Sequence, residues 1–258
     1  LRIMRWGERD EEFVRPVRGL VMLHGGRVVP GKVFGQESGR ATRGHRFMGR
    51  GAIEIPRADD YEVLLERDGK VLANFELRAR KIREGLAQAA GGAAIAADDA
   101  LYDEVTALVE YPAVYEAHFD RAFLEVPQEC LILSMQQHQR YVPLRDKATG
   151  ELLSRFLFVS NLPVKKAHAI VHGNERVLRA RLSDAKFFYD QDRKTRLDAR
   201  VPRLANVVYH RKLGSQLQRV ERIRSLAGRI AGEIGADAAL AERAAWLSKA
   251  DLLTEMVG

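Results

Sequence analysis

Arg176, Arg179 and Arg181, followed by Lys186, are the side chains of this sequence best suited to holding an anion. A guanidinium presents its donors as a planar fork, meets a phosphate two bonds at a time, and stays charged at physiological pH. A second basic group lies in Thr42–Phe47, TRGHRF, where Arg43, His45 and Arg46 surround Gly44. Glycine there lets the backbone approach a ligand closely; the other reading is a bend whose Phe47 and Met48 anchor a core. For bond-breaking chemistry the sequence offers little. His168 and His172 lie four apart, as zinc ligands on a helix do, but Ala169-Ile170-Val171 between them lacks the Glu of an HExxH motif. His138, in QQHQRY, reads as a hydrogen-bonding residue at a helix end. There is no nucleophile elbow, P-loop or dinucleotide-binding glycine pattern. The expected site is therefore for binding, with no catalytic residue and no metal.

Spacing places the first group on a helix. In His172–Lys194, HGNERVLRARLSDAKFFYDQDRK, Asn174 is positioned to cap a helix beginning at Glu175. Val177/Leu178, Leu182, Ala185 and Phe188/Tyr189 then recur at helical spacing as an apolar stripe. Arg176, Arg179, Ser183 and Lys186 share another face, and Arg181 borders the stripe. An ordinary amphipathic helix with a solvated basic face has the same pattern. The distribution of charge favours a partner. Residues 1–165 carry 24 Lys/Arg against 24 Asp/Glu, residues 166–224 carry 15 against 6, and residues 225–258 carry 3 against 5. The formal net charge of +7 is thus concentrated around this helix. Such a local surplus suits a polyanion such as nucleic acid, whose phosphates supply most of the binding free energy.

The remaining elements frame these groups. Residues 13–36 read as β-structure folded back at Gly25-Gly26, with Pro16 and Pro30 at strand ends or edges. Ile53–Ile55 is a short strand, and helices are expected from Asp59/Asp60 to Arg67, at 74–90 behind an Asn74 cap, at 99–109 and at 128–139. Strands are expected at 113–119, 141–145 and 156–161. From Lys165 on only helices are expected, at 166–190, 194–211, 215–234 and 238–256. The fold class is α+β: a mixed α+β domain over 1–165, a basic connecting helix over 166–193 and an all-helical domain over 194–258. The single cysteine, Cys130, excludes an intrachain disulfide and a cysteine zinc cluster. No apolar run reaches the ~20 residues of a membrane span, and no signal peptide is visible, so a cytoplasmic location is expected. Leu1 in place of Met and a helical pattern running up to Gly258 read as an internal fragment of a longer protein.

Seven strings, in order, resemble one family: MRWG (4–7), FVRPVR (13–18), TRGHRFMG (42–49), EVTALVEYP (104–112), GNERVLRARLSDAKFFYDQD (173–192), KLGS (212–215) and LSKADLLTEMV (247–257). They are similar to the beta subunit of bacterial heterotetrameric glycyl-tRNA synthetase, along nearly the whole chain. The resemblance implies a role in ATP-dependent glycylation of tRNA(Gly). In that role the beta subunit supplies tRNA binding and subunit assembly, while the aminoacylation active site, with ATP and Mg, lies on a separate alpha subunit. It also implies an α+β domain similar to the editing-domain fold of the phenylalanyl-tRNA synthetase beta subunit, followed by the start of an HD-like domain. His210 stands where the first histidine of the HD pattern falls. Ala250-Asp251 replaces its His-Asp pair, so Asp251 is left without the neighbouring imidazole. Arg176, Arg179, Arg181 and Lys186, then Arg43, His45 and Arg46, are the expected tRNA contacts. The competing reading is an HD-type metal-dependent phosphohydrolase acting on nucleotides. A third reading pairs the basic helix with an acidic face of the alpha subunit.

Overall fold

Short apolar runs interrupted by glycine turns fold the first sixty residues into small strand pairs rather than one long sheet. Leu23 pairs with Val28 and His24 with Arg27 across Gly25-Gly26, where Gly25 adopts a φ of 58°. A two-residue hairpin turn needs that left-handed backbone. Leu20–Val21 runs parallel to Gln36–Gly39, which also pairs antiparallel with Lys32–Val33. Pro16 and Pro30 fall outside the strands. Ala41–Arg43 pairs antiparallel with Ala52–Glu54. The computed structural model describes residues 3–8 and 10–257 as a mixed α+β protein.

Between Arg43 and Ala52 the chain makes a tight loop organised by one buried side chain. His45 donates its backbone N–H to the Gly69 carbonyl at 2.7 Å, and its own carbonyl accepts from Gly49 at 2.8 Å. Its Nδ1 accepts the N–H groups of Phe47 and Met48 at 3.2 and 3.3 Å, so the ring proton sits on Nε2, 2.7 Å from the Asn161 carbonyl. The Asn161 side chain in turn accepts the N–H groups of Glu110 and Tyr111 at 2.7 and 2.9 Å. Gly44 is required for this closure: a Cβ there would lie 2.2 Å from the Gly69 backbone.

The chain divides into two compact units, Leu1–His118 with Met135–Glu175, and Phe119–Ser134 with Arg176–Gly258. Residues 119–134, which the sequence groups with the α+β part, go with the C-terminal unit. In the first unit, helix α1 (Phe75–Ala90) is capped by Asn74, whose side chain accepts from Leu77 N, and helix α2 (Asp99–Leu108) is capped likewise by Asp98. Strands β1 (Ala94–Ile95), β2 (Ala113–His118), β3 (Val142–Arg145) and β4 (Leu152–Ser160) form an antiparallel sheet in the order β1-β3-β4-β2. Ile82, Leu86 and Ala90 of α1 with Leu101 and Val105 of α2 cluster with Val142, Leu144 and Leu157 of the sheet. Burying each of the Ile, Leu and Val side chains among them stabilises by roughly 1.5–3 kcal/mol. Two further helices, α3 (Gln128–Gln139) and α4 (His168–Asp192), contain the points of division.

Helix α4 begins earlier than its N-terminal signal implies. Asn174 is not a cap: its Nδ2 donates to the Ile170 carbonyl one turn back, at 2.8 Å. Its Oδ1 accepts the Tyr141 hydroxyl at 2.7 Å. Burial pushes the Tyr141 phenol up to about 12, so it remains a donor at any physiological pH. An asparagine satisfied in this way is tolerated inside a helix, where an unsatisfied one reads as a start signal. Leu178 and Leu182 of the expected stripe are fully buried.

The second unit departs from the all-helical expectation. The helix expected over 194–211 is replaced by a short helix at Leu197–Arg200, a 3-10 turn at Val201–Asn206 and a hairpin pairing Val208–His210 with Gly214–Ser215. Pro202 cannot continue an α-helix from within, the run Val207-Val208-Tyr209 favours extended backbone, and Gly214 takes a φ of 88°. Helix α5 (Gln216–Glu233) starts at a capping box between Ser215 and Gln218, and helix α6 (Ala238–Leu247) at an Asp237 cap. The helix expected to reach 256 stops at Leu247, and a 3-10 turn covers Ala250–Leu253. Val201, Leu204, Val220 and Ala250 form the core of this unit.

One nearly buried ion pair closes the unit. Arg200 and Asp192 meet at 3.0 Å with side chains 8% and 11% exposed. The Asp192 carboxylate also accepts the N–H groups of Glu255 and Met256 at 3.0 Å each, and Arg200 donates to the Leu253 carbonyl at 2.8 Å. No helix among the described residues is long and apolar enough to cross a membrane. Removing one partner of a buried pair strands the other charge, so Arg200→Ala or Asp192→Ala is expected to cost about 3–5 kcal/mol in urea unfolding. Gly44→Ala, which drives a methyl group into the Gly69 backbone, is expected to cost about 1–3 kcal/mol in the same assay.

Candidate nucleic-acid interface

Helical geometry separates the four cations expected on α4. At 100° per residue, Arg176 and Arg179 lie about 60° apart, whereas Arg181 stands roughly 160° from Arg179. The buried Leu178 and Leu182 lie on the arc between them on the protein side, and Asp184 is exposed on the solvent side. Arg176, Arg179 and Arg181 are all exposed and have no hydrogen bond or ion pair among the described residues. Lys186 differs. Its ammonium sits 2.6 Å from Glu125 and 3.2 Å from Asp190, and these hydrogen bonds, Glu125 first, hold its pKa above the ordinary lysine value. A lysine shared by two carboxylates stays charged, but its donors are engaged and its field is offset by two negative neighbours, which disfavours a phosphate there. The face that remains is Arg176 with Arg179.

The second group is also reapportioned. Arg43 and Arg46 are exposed on either side of the loop, while His45 is 4% exposed and has both ring nitrogens engaged. The structure corrects its expected role from phosphate contact to loop anchor. Arg43 and Arg46 line a groove that also takes in Arg18, Thr42 and Tyr61. Arg18 was not legible as a site residue, since it lies 25 positions before Arg43; the only sequence signal was its place in FVRPVR.

Basic residues collect at the hairpin of the second unit as well. Arg211, Lys212 and Arg222 surround a shallow depression at its tip together with Glu221, and the Arg219 guanidinium lies 4.2 Å over the Tyr209 ring. The helix expected over 194–211 would end at Arg211 and leave Lys212 in the break before the next helix, whereas the hairpin presents both on a turn.

His210 and Asp251 gain no support as metal ligands. His210 is exposed in the hairpin, its Nδ1 accepting the Lys212 N–H at 3.2 Å. Asp251 is exposed in the 3-10 turn, its carbonyl accepting from Thr254. His168 and His172 stack with ring centroids 6.0 Å apart. Among the described residues there is no group of three or more His, Cys, Asp or Glu placed to hold a metal ion.

Comparison with known proteins identifies the family of the chain. A family model described as "Glycyl-tRNA synthetase beta subunit" matches residues 1–258. The chain is similar to the glycine--tRNA ligase beta subunit of Neisseria gonorrhoeae, 57% identical over 100% of this chain and 38% of that protein. It is 56% identical to that of Aromatoleum aromaticum, over 100% of this chain and 37% of the relative. With that of Ralstonia nicotianae the identity is 51%, over 96% and 35%. The chain therefore spans little more than a third of the length of these relatives. With a match along its whole length and identities above one half, the chain belongs to the glycyl-tRNA synthetase beta subunit family.

Proposed function

We propose that this chain is a tRNA-contacting part of glycine-tRNA ligase, acting with an alpha subunit in a cytoplasmic heterotetramer. The observation that carries the reading is the family match along all 258 residues. It is supported by the exposed arginines Arg176 and Arg179, which have no carboxylate partner among the described residues. In this reading ATP and Mg are used at the alpha subunit's active site, where glycine is activated and transferred to tRNA(Gly). The described residues of this chain contribute contacts to RNA and to the assembly. The same resemblance assigns the first unit to a fold similar to the editing domain of the phenylalanyl-tRNA synthetase beta subunit, and the second to the start of an HD-like domain that has lost its metal shell.

Arg176 and Arg179 are the principal phosphate contacts, with Arg181 on a separate face and Lys186 serving to hold the 119–134 segment through Glu125. Arg43 and Arg46 are the second contact set. A solvent-exposed guanidinium with no carboxylate partner pays no competing interaction when it meets a phosphate, and each contact releases a counterion from the RNA.

Replacing Arg176 and Arg179 together by Ala is expected to weaken binding of tRNA(Gly) by the αβ complex. It should also flatten the dependence of log K on log salt by about 0.7–0.9 per lost phosphate contact. A filter-binding series from low to physiological salt measures both, and an unchanged slope would rule out this face. Lys186→Ala is the contrasting variant. Its main effect is expected on thermal stability, since it frees Glu125 and Asp190, with a salt slope close to that of the parent protein.

A further inference from the structure

The groove beside the His45 loop has features that the basic helix lacks. Its cavity of about 1530 Å³ exceeds the ~300–1,000 Å³ of a small-molecule cleft, so it has room for a stretch of chain. Its charged lining is Arg18, Arg43 and Arg46, and no Asp or Glu lines it. Arg18 and Arg43 have no hydrogen bond or ion pair among the described residues, and Arg46 has only the Phe47 ring, 5.7 Å from its guanidinium. Three uncompensated guanidiniums converge on one concavity. Elsewhere in the same unit some arginines are matched with carboxylates, as in Arg83 with Asp99 and Arg155 with Glu116. Others, such as Arg27 and Arg80, have no carboxylate partner among the described residues, but those do not line this groove.

The remaining lining points to what kind of anion fits. Gly51 presents backbone with no side chain in the way of a close approach, and no atom within 4 Å of where its Cβ would stand. Tyr61, at the start of the short helix Tyr61–Leu64, is exposed and lines the groove. An aromatic face beside a track of cations is the arrangement that binds single-stranded nucleic acid, in which unstacked bases lie on rings while arginines follow the backbone. A duplex offers phosphates on a broad convex surface and no free base face, so it suits an exposed helix face better than a concavity. The walls are also held in advance. Arg43 and Arg46 bracket a residue whose backbone N–H, carbonyl and both ring nitrogens are fixed to Gly69, Gly49, Phe47, Met48 and Asn161. Little ordering is left to occur on binding.

We propose that the Arg18–Arg43–Arg46 groove is a binding site for an unpaired RNA segment, with Tyr61 stacking a base and the three arginines holding successive phosphates. The proposal rests on the reading of the chain as tRNA-binding and adds the strand state of the RNA bound here. It makes this groove a site separate in kind from the Arg176/Arg179 face, which contacts phosphates whether or not the bases are paired.

The test uses the full-length beta subunit in complex with its alpha subunit. Fluorescence anisotropy compares a labelled single-stranded eight-nucleotide RNA, the same sequence as a blunt duplex, and a polyglutamate peptide of equal charge as competitor. The single strand is expected to bind more tightly than the duplex. Arg43→Ala with Arg46→Ala is expected to weaken it about tenfold or more. Tyr61→Ala should weaken it about 5- to 100-fold, in the range of a lost base stack, while Tyr61→Phe, which keeps the ring, stays within about twofold. Arg176→Ala with Arg179→Ala should lower affinity for tRNA while leaving the preference for the single strand over the duplex unchanged. Equal affinity for duplex and single strand, equal competition by polyglutamate, or single-strand binding that survives Arg43→Ala/Arg46→Ala in a variant of unchanged melting temperature would each overturn the groove. Binding of tRNA(Gly) by the parent complex, measured alongside, isolates the broader reading. Firm tRNA binding with no oligonucleotide binding removes this proposal alone, and absence of both removes the tRNA-binding reading with it.

Discussion

The imidazole of His45 is the constraint on which the candidate RNA surface of the first unit depends. A neutral histidine offers one donor and one acceptor, and here both are used inside the protein: two loop amides on Nδ1 and the Asn161 carbonyl on Nε2. Asn161 then passes the connection on to the amides of Glu110 and Tyr111 at the edge of the sheet. An eight-residue excursion between two short strands is thereby fastened to the end of the longest strand, more than a hundred residues later. Buried hydrogen bonds of this type contribute about 1 kcal/mol each, but leaving one unmade costs the full desolvation of the orphaned group. The loop is thus held in one shape more firmly than its short flanking strands could hold it.

That arrangement explains how much of the site the sequence reveals. Arg43 and Arg46 are legible as anion ligands because their chemistry is intrinsic to the side chain. His45 looks equivalent to them in TRGHRF and is not, because the decisive fact is Asn161, whose proximity no local pattern encodes. The same asymmetry appears on the long helix. Periodicity gives an apolar stripe of Val177/Leu178, Leu182, Ala185 and Phe188/Tyr189, of which Leu178 and Leu182 are fully buried while Val177 and Phe188 are exposed. Periodicity alone cannot distinguish Arg179 from Lys186, since Lys186 is neutralised in part by Glu125 from a segment some sixty positions earlier.

Secondary structure follows a similar division. Caps at Asn74, Asp98, Ser215 and Asp237 are local chemistry and mark true helix starts. Asn174 carries the same signal and lies inside a helix, because a tyrosine hydroxyl brought from residue 141 satisfies its oxygen. Over 194–211 a single helix is expected. Pro202, the β-branched pair Val207-Val208 and Gly214 were the stronger instructions, and they break the run into a turn and a hairpin. That hairpin puts Arg211 and Lys212 at a tip, where a helix would have placed them on its side.

The Asp192 carboxylate bears on how the protein can be dissected. It is a hub for one guanidinium and two amides, and those amides belong to Glu255 and Met256. A recombinant piece ending a few residues sooner would keep the aspartate and its arginine while removing two of the donors that make burial of the carboxylate tolerable. Loosening would begin at the terminal turn and expose the Arg200 neighbourhood to proteases, although every residue of the core cluster would still be encoded. A piece of this protein that is to keep the Asp192 cluster must therefore include these two backbone amides, whatever apolar side chains it retains.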